Sequence, residues 1–310
     1  MKNVDKFIES ACEEIRTEVG KGGAIVALSG GVDSSVVAAL AHKALEGRLK
    51  SFFIDDGLMR AGEAKTVAGD FKKIGIKVDV VNVQEQFFSA LKGHIDPEEK
   101  RKAFRDTFYR VLGDCLRDSK ATHMLQGTIA ADIIETQKGV KTQHNVLEQI
   151  GFSPARYGLK VLEPVRTLFK PQVREVGRKL GLPEHMCARM PFPGPGLATR
   201  VLGEVTPERV EILRKATVIV EEEIVSLKPF QAFAVLFNDQ ATGVKNGKRL
   251  FGNIIAVRSV DSTDAMTATP TEVPWKTMMT LAKRITEEVP TVVKVVYDLS
   301  SKPPSTIEYI

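Results

Sequence analysis

AIVALSGGVDSS, residues 24–35, puts an apolar run directly before a glycine-serine turn, and an apolar-periodic segment, 36–45, directly after it. That succession predicts a strand, a tight loop and a helix. Gly30 and Gly31 let the backbone turn sharply and come close to a ligand. Ser29, Ser34 and Ser35 add hydroxyls, and the helix that follows offers unpaired N–H groups and the positive end of its dipole. A loop so built cradles phosphate. Asp33 inside it would repel that ligand unless a divalent cation bridges them, so its presence implies magnesium. Capping of a strand-to-helix turn by Ser29 or Asp33 alone would not require the whole string.

Two commoner phosphate loops are excluded. No Gly-Lys-Ser/Thr follows, and GVKNGKR, residues 243–249, has the wrong spacing and falls in a hairpin. No G-x-G-x-x-G occurs after residue 28 either, so the loop is not a dinucleotide fingerprint.

Outward from the loop, short apolar runs alternate with longer amphipathic stretches as far as about Leu182. Strands are predicted at 24–28, 50–54, 77–83 and 123–126, with a weaker one at 160–163, and helices after Gly31, Ala61 and Asp96. The pattern predicts an α/β fold, a doubly wound parallel sheet with chemistry along the edge formed by its strand C-termini. MPFPGPGLATRVLG, residues 190–203, is too rich in proline and glycine for helix or sheet and reads as an ordered joint. Beyond it come a helix at 207–227, strands at 231–237 and 254–260 around an Asn246-Gly247 hairpin signal, a helix at 275–289 and a strand at 292–299. The expected domains are therefore 1–189, a joint at 190–205, and a small α+β domain at 206–310 built on an antiparallel sheet. One face of that sheet is left free to pair, which makes a homodimer the expectation.

Composition narrows the class. With 310 residues, 43% hydrophobic and 27% charged, the chain can bury a sizeable core. Its net charge of +5 is scattered among nearly as many acids, which suits a small anionic ligand and gives no nucleic-acid groove. Cys12, Cys115 and Cys187 are odd in number and lack Cys-x-x-Cys spacing, so neither a disulfide framework nor a zinc site is expected. Residues 1–20 are charged and helix-periodic, unlike a signal peptide, and no apolar run reaches the ~20 residues of a membrane span. A cytoplasmic protein without membrane contact is the expectation.

SGGVDSS resembles the pyrophosphate loop of the ATP pyrophosphatase superfamily, which holds GMP, NAD and asparagine synthetases and tRNA-thiolating enzymes. Further strings run the length of the chain: FIDDGLMR (53–60), DPEEKRKAF (96–104), QGTIAADIIE (126–135), KTQHNV (141–146), LEPVRTLFKPQVREVGRKLGLP (162–183), PFPGPGL (191–197) and VVYDLSSKPPSTIEYI (295–310). Together they are similar to the ATP-pyrophosphatase and dimerisation domains of GMP synthetases. No nucleophile-elbow cysteine of a glutamine amidotransferase accompanies them, so the resemblance is to the stand-alone synthetase subunit of the two-subunit, archaeal-type enzymes.

The resemblance implies roles. Asp33 would hold Mg2+, and Ser29, Gly30, Gly31, Val32, Asp33, Ser34 and Ser35 would bind the β and γ phosphates of ATP. Gly127 and Thr128, at the sheet edge after the fourth strand, would join the ATP site, and Lys170 would reach its phosphates. Asp132 and Glu135 lie one helical turn apart, where a metal or ribose contact and a plain acidic helix start both fit. Arg101 would contact the purine nucleotide, and Lys302, Thr306 and Glu308 would close over it. The implied reaction adenylates the C2 oxygen of XMP with release of pyrophosphate; ammonia from a separate glutaminase partner then displaces AMP to give GMP. The chain departs from the family pattern at Gln143, Leu147, Glu148, Met190, Glu287 and Ile310, which bears on closure over the nucleotide more than on ATP binding. Another ATP pyrophosphatase, NAD synthetase-like or tRNA-thiolating, or a non-catalytic paralogue are the alternatives. Thiolation would usually need catalytic or cluster-binding cysteines that the scattered three do not supply. His144 stays open between a loop surface and a lid role.

Overall fold

The computed structural model describes residues 3–137, 154–263 and 265–310, and the chain gathers into two compact units. The first comprises residues 1–55, 62–83 and 108–189; the second comprises 56–61, 84–107 and 190–310. Residues 56–61 and 84–107 thus group with the second unit, and the last passage between units falls between 189 and 190.

In the first unit α1 (Val4–Val19) buries Ile8, Ala11, Cys12, Ile15 and Val19, the i, i+3, i+4 stripe of an amphipathic helix. Asn3 caps it by accepting from the Lys6 N–H at 3.0 Å. Five strands follow, β1 (Ala24–Leu28), β2 (Leu49–Asp55), β3 (Val78–Asn82), β4 (His123–Leu125) and β5 (Lys160–Leu162), each within about two residues of its predicted place. All pair in parallel, in the order β3-β2-β1-β4-β5. Between β1 and β2 runs α2 (Val32–Leu45), buried on nearly every side, and between β2 and β3 runs α3 (Glu63–Lys73). The strand order reverses between β1 and β4, and in open parallel sheets ligands bind in the crevice that such a reversal opens at the strand C-termini. SGGVDSS leaves β1 and Gly127-Thr128 leaves β4, so both fall at this switch point.

The β3-to-β4 connection holds α4 (Gln84–Leu91) and α5 (Pro97–Ser119). After β4 come α6 (Ala130–Gln137), α7 (Lys170–Lys179) and the single turn α8 (Glu184–Cys187). The joint contains one short 3-10 helix, Gly196–Arg200, where the sequence led to no regular structure. Gly196 needs both its φ of 59° and its missing side chain, since a Cβ there would strike the Leu58 carbonyl.

The second unit continues with α9 (Pro207–Ile224), capped by Thr206, whose hydroxyl oxygen accepts from the Arg209 N–H at 3.3 Å. β6 (Gln231–Lys245) and β7 (Lys248–Asp261) make a long antiparallel hairpin, turned at Asn246 and Gly247 with φ of 50° and 71°. Positive φ at both turn positions is the requirement that favours Asn-Gly. β6 runs several residues past its predicted end and β7 begins several before its predicted start, because 238–253 is mostly polar and gives no steady apolar alternation to read. β8 (Thr269–Pro270), α10 (Trp275–Glu288) and β9 (Val292–Tyr297) complete the unit. The expected antiparallel sheet has one departure: β9 pairs with β7 in parallel, because the connection through α10 returns the chain in the same direction. Among the described residues no helix is long and apolar enough to cross a membrane.

Candidate active site

The phosphate-loop candidate is a network of short-range bonds in the first unit. Ser34 Oγ donates to the Gly31 carbonyl at 3.2 Å, accepts from the Ser29 N–H at 3.2 Å and lies 3.0 Å from Ser29 Oγ. Ser35 Oγ donates to the Gly31 carbonyl at 2.8 Å. The serines thus shape the loop, and no side chain caps α2: Gly31 is its N-cap, extended at φ −82°, ψ 157°. Among the described residues, no N-cap side chain meets the first N–H groups of this buried helix, which opens at the switch point.

Asp33 and Lys170, 137 residues apart in sequence, are brought together. Lys170 Nζ donates to Asp33 Oδ2 at 2.5 Å, from the first residue of α7. Asp33 Oδ1 is buried and has no hydrogen-bond partner among the described residues. An orphaned buried carboxylate oxygen is costly unless something else meets it. A Mg2+ ion, which keeps several waters and takes one or two carboxylates plus phosphate oxygens, fits that donor. A larger all-protein cage is not formed: no group of three or more His, Cys, Asp or Glu set to hold a metal occurs among the described residues.

Gly127 works through absence. A Cβ there would lie 2.8 Å from the Ser34 nitrogen and 2.9 Å from the Asp33 carbonyl carbon, so only glycine lets the end of β4 close on the first turn of α2. Thr128 Oγ1 donates to Glu163 Oε1 at 2.5 Å. Asp132 sits in the first turn of α6 and accepts from the Ile129 N–H at 3.0 Å, the capping task that the sequence left open beside a metal role. The Glu135 side chain, Gln143, Leu147, Glu148 and His144 fall outside the described residues.

The other expected contacts lie in the second unit. Arg101 lines a small hollow with Pro97, Lys100, Pro195 and Thr199, and pairs with Glu98. Lys302 Nζ donates to the Ala265 carbonyl at 2.8 Å, and its backbone pairs with Ala268 in both directions. Thr306 Oγ1 donates to the Glu308 carbonyl. Glu308 has partners within the chain: its carboxylate accepts from Arg200 Nε at 3.0 Å, Arg200 Nη2 at 2.8 Å and Gln231 Nε2 at 2.5 Å.

Sequence reasoning missed the cations that hold this tail. Arg200 is 1% exposed, and its guanidinium stacks 3.9 Å from the Phe233 ring centroid and 4.9 Å from that of Phe192. Arg258, 0% exposed, donates to Asp298 Oδ2 and to the carbonyls of Ser300, Thr306 and Ile307. Lys100 is buried too, with Nζ donating to the Val201 carbonyl at 2.7 Å; burial and the nearby Arg209 push its pKa down to about 8, against a smaller pull from Asp96. The available signal was position: Arg200 and Arg258 each stand inside a strongly apolar run, GLATRVLG and IIAVRSV.

A five-stranded parallel sheet with helices, carrying a serine-glycine loop at its switch point, defines an α/β protein of the adenine nucleotide α hydrolase-like, ATP pyrophosphatase type. Comparison with known proteins narrows this. Residues 2–194 match the family model described as NAD synthase, and residues 219–309 match the GMP synthase C terminal domain. Curated relatives, each named as the B subunit of a glutamine-hydrolyzing GMP synthase, include one of Archaeoglobus fulgidus, 51% identical over 308 residues and covering 99% of each chain. That of Methanopyrus kandleri is 48% identical over 98% of each, and that of Pyrococcus furiosus 49% identical over 98% of this chain and 97% of its own. The chain belongs to the family of glutamine-hydrolyzing GMP synthase B subunits.

Proposed function

We propose that the chain catalyses the synthetase half of GMP formation: XMP and ATP give an O2-adenylated XMP and pyrophosphate, and ammonia then displaces AMP to leave GMP. The observation that carries this reading, beyond family membership, is Asp33. Its one oxygen is tied to Lys170 and its other is orphaned, at the mouth of an uncapped helix.

The loop 29–35 would bind the β and γ phosphates through the amides at the start of α2, with Gly127 and Thr128 closing the same edge. Asp33 would hold Mg2+, with Asp132 as the second proposed carboxylate. The ion, when bound, would withdraw charge from the departing pyrophosphate. Lys170 supplies a fixed positive charge beside Asp33, available to the same leaving group. Arg101, Lys302, Thr306 and Glu308 are the proposed XMP contacts; Arg200 and Gln231 fix the Glu308 carboxylate and Arg258 fixes the backbone around Thr306, so the chain's own side chains position the tail.

Ammonia would come from a separate glutamine amidotransferase subunit, since the relatives are named as one subunit of a synthase that hydrolyses glutamine. A homodimer through the second unit belongs to the same reading and is supported by Val244 and Phe251 on the β6–β7 hairpin, 71% and 67% exposed. A cytoplasmic location follows from the same metabolic role.

The test is an assay of the purified chain with ATP, Mg2+ and XMP. Ammonium salts should support stoichiometric AMP, pyrophosphate and GMP, whereas glutamine alone should support none. AMP formation indifferent to XMP would sink the reading and favour another ATP pyrophosphatase.

A further inference from the structure

An ion pair with a buried carboxylate and a partly exposed guanidinium, 2% and 23% exposed, adjoins the 29–35 loop. Glu63, the first residue of α3, has a side chain 2% exposed, and its two carboxylate oxygens take Nη1 and Nη2 of Arg189 in a bidentate pair. Arg189 Nη1 also donates to the Gly30 carbonyl at 3.0 Å. Arg189 is itself anchored, its own carbonyl accepting from Arg174 Nη2 at 3.3 Å. A side chain at position 30 would run into Glu63 Oε1, so the pair fills the space a Cβ would take.

The bond to Gly30 matters because of the peptide that carries it. The Gly30 carbonyl and the Gly31 N–H belong to one planar unit and point in opposite directions. With the carbonyl tied to Arg189, the N–H is turned the other way, where Ser29 Oγ accepts it at a long 3.4 Å. A peptide between two glycines flips at little steric cost, because glycine populates both signs of φ, and Gly30 already stands at 75°. The flipped peptide would aim a carbonyl oxygen at the place where an anion is to bind.

We propose that Arg189 and Glu63 are a positioning pair that locks the Gly30–Gly31 peptide with its amide toward the polyphosphate of ATP. The inference rests on the ATP reading above and extends it to two residues outside the 29–35 loop. The carboxylate explains why the cation stays behind the loop: Glu63 cancels the charge of Arg189 and fixes its plane, so the guanidinium is not drawn forward to the phosphates. A pair buried on its carboxylate side is a weak device for stability alone, since well-packed apolar residues often do as well.

Calorimetry on the full chain tests it, with ATP, inorganic pyrophosphate and AMP as ligands in the presence of Mg2+. The paired variant Glu63→Gln/Arg189→Met leaves no buried charge unmatched. It should bind pyrophosphate and ATP about tenfold more weakly, the worth of one orienting hydrogen bond, with AMP affinity and the unfolding midpoint unchanged. Arg189→Lys keeps the charge beside Glu63 but has one ammonium to serve both the carboxylate and the Gly30 carbonyl. It should lose about threefold for pyrophosphate and none for AMP. Pyrophosphate affinity equal to the wild type in either folded variant, or AMP affinity falling in step with pyrophosphate, overturns the proposal. A wild-type chain that takes up neither ATP nor pyrophosphate overturns the ATP reading with it; wild-type uptake with indifferent variants overturns the positioning pair alone.

Discussion

At the scale of single residues the molecule holds two unlike charges in unlike ways. Asp33 keeps one oxygen tied to Lys170 and one without a partner among the described residues, so its replacement by asparagine should preserve shape while removing the proposed cation contact. Asp33→Asn is expected to lower XMP-dependent AMP formation by about 100-fold or more, with a thermal unfolding midpoint within a few degrees of the wild type. A variant that turns over normally would remove Asp33 from the chemistry. Lys100 is the opposite case, a cation whose burial disfavours its charge. Its folded pKa of about 8 lies below the unfolded value near 10.4, so in that window the unfolded chain binds more protons and stability rises with pH. The cost of the buried charge is therefore full below pH 8 and fades as pH climbs toward 10. Urea titrations at pH 7 and pH 9.5 should show the wild type gaining on the order of 1–2 kcal/mol relative to Lys100→Met; a constant difference between the two proteins would contradict the shift.

At the scale of elements, the end of β4 and the start of α2 meet backbone to backbone, and Gly127 is the residue that allows it. Gly127→Ala should push Ser34 and Asp33 away from β4, costing about 1–3 kcal/mol in denaturant unfolding and weakening ATP binding, both measurable on the same preparation. An alanine variant with wild-type stability would mean that the contact relaxes freely. The same elements explain what sequence made legible. The strands of the parallel sheet were readable because most are short, largely apolar runs between amphipathic stretches, and the loop because glycines and serines there answer to a local need. α4 was missed because its buried face amounts to Phe87 and Leu91, too little for a period. Glu63 and Arg189 were missed because they are 126 residues apart, and an ion pair across such a distance leaves no mark on the neighbours of either residue. Asp132 was ambiguous for the converse reason: an acidic residue in a first helical turn looks the same whether it caps or coordinates.

At the scale of the whole molecule, the family assignment spans nearly the full chain. The chain passes between the two units repeatedly: residues 56–61 and 84–107 leave the first unit and return to it before the joint is reached. Within the second unit, the Leu58 carbonyl accepts from the Leu197 N–H at 2.7 Å, the Phe87 and Phe104 rings meet at 5.0 Å, and Lys100 is fastened to the Val201 carbonyl. A gene cut at codon 189 would therefore sever a domain in the family sense without freeing a self-sufficient body. The N-terminal fragment would carry Leu58, Phe87, Leu91 and Phe104 stripped of their cover and prone to clump, while the C-terminal fragment would lack the segments that close its own core. Expressed together, the halves should recover each other by complementation; in evolution, the same threading would discourage exchange of either half as a cassette.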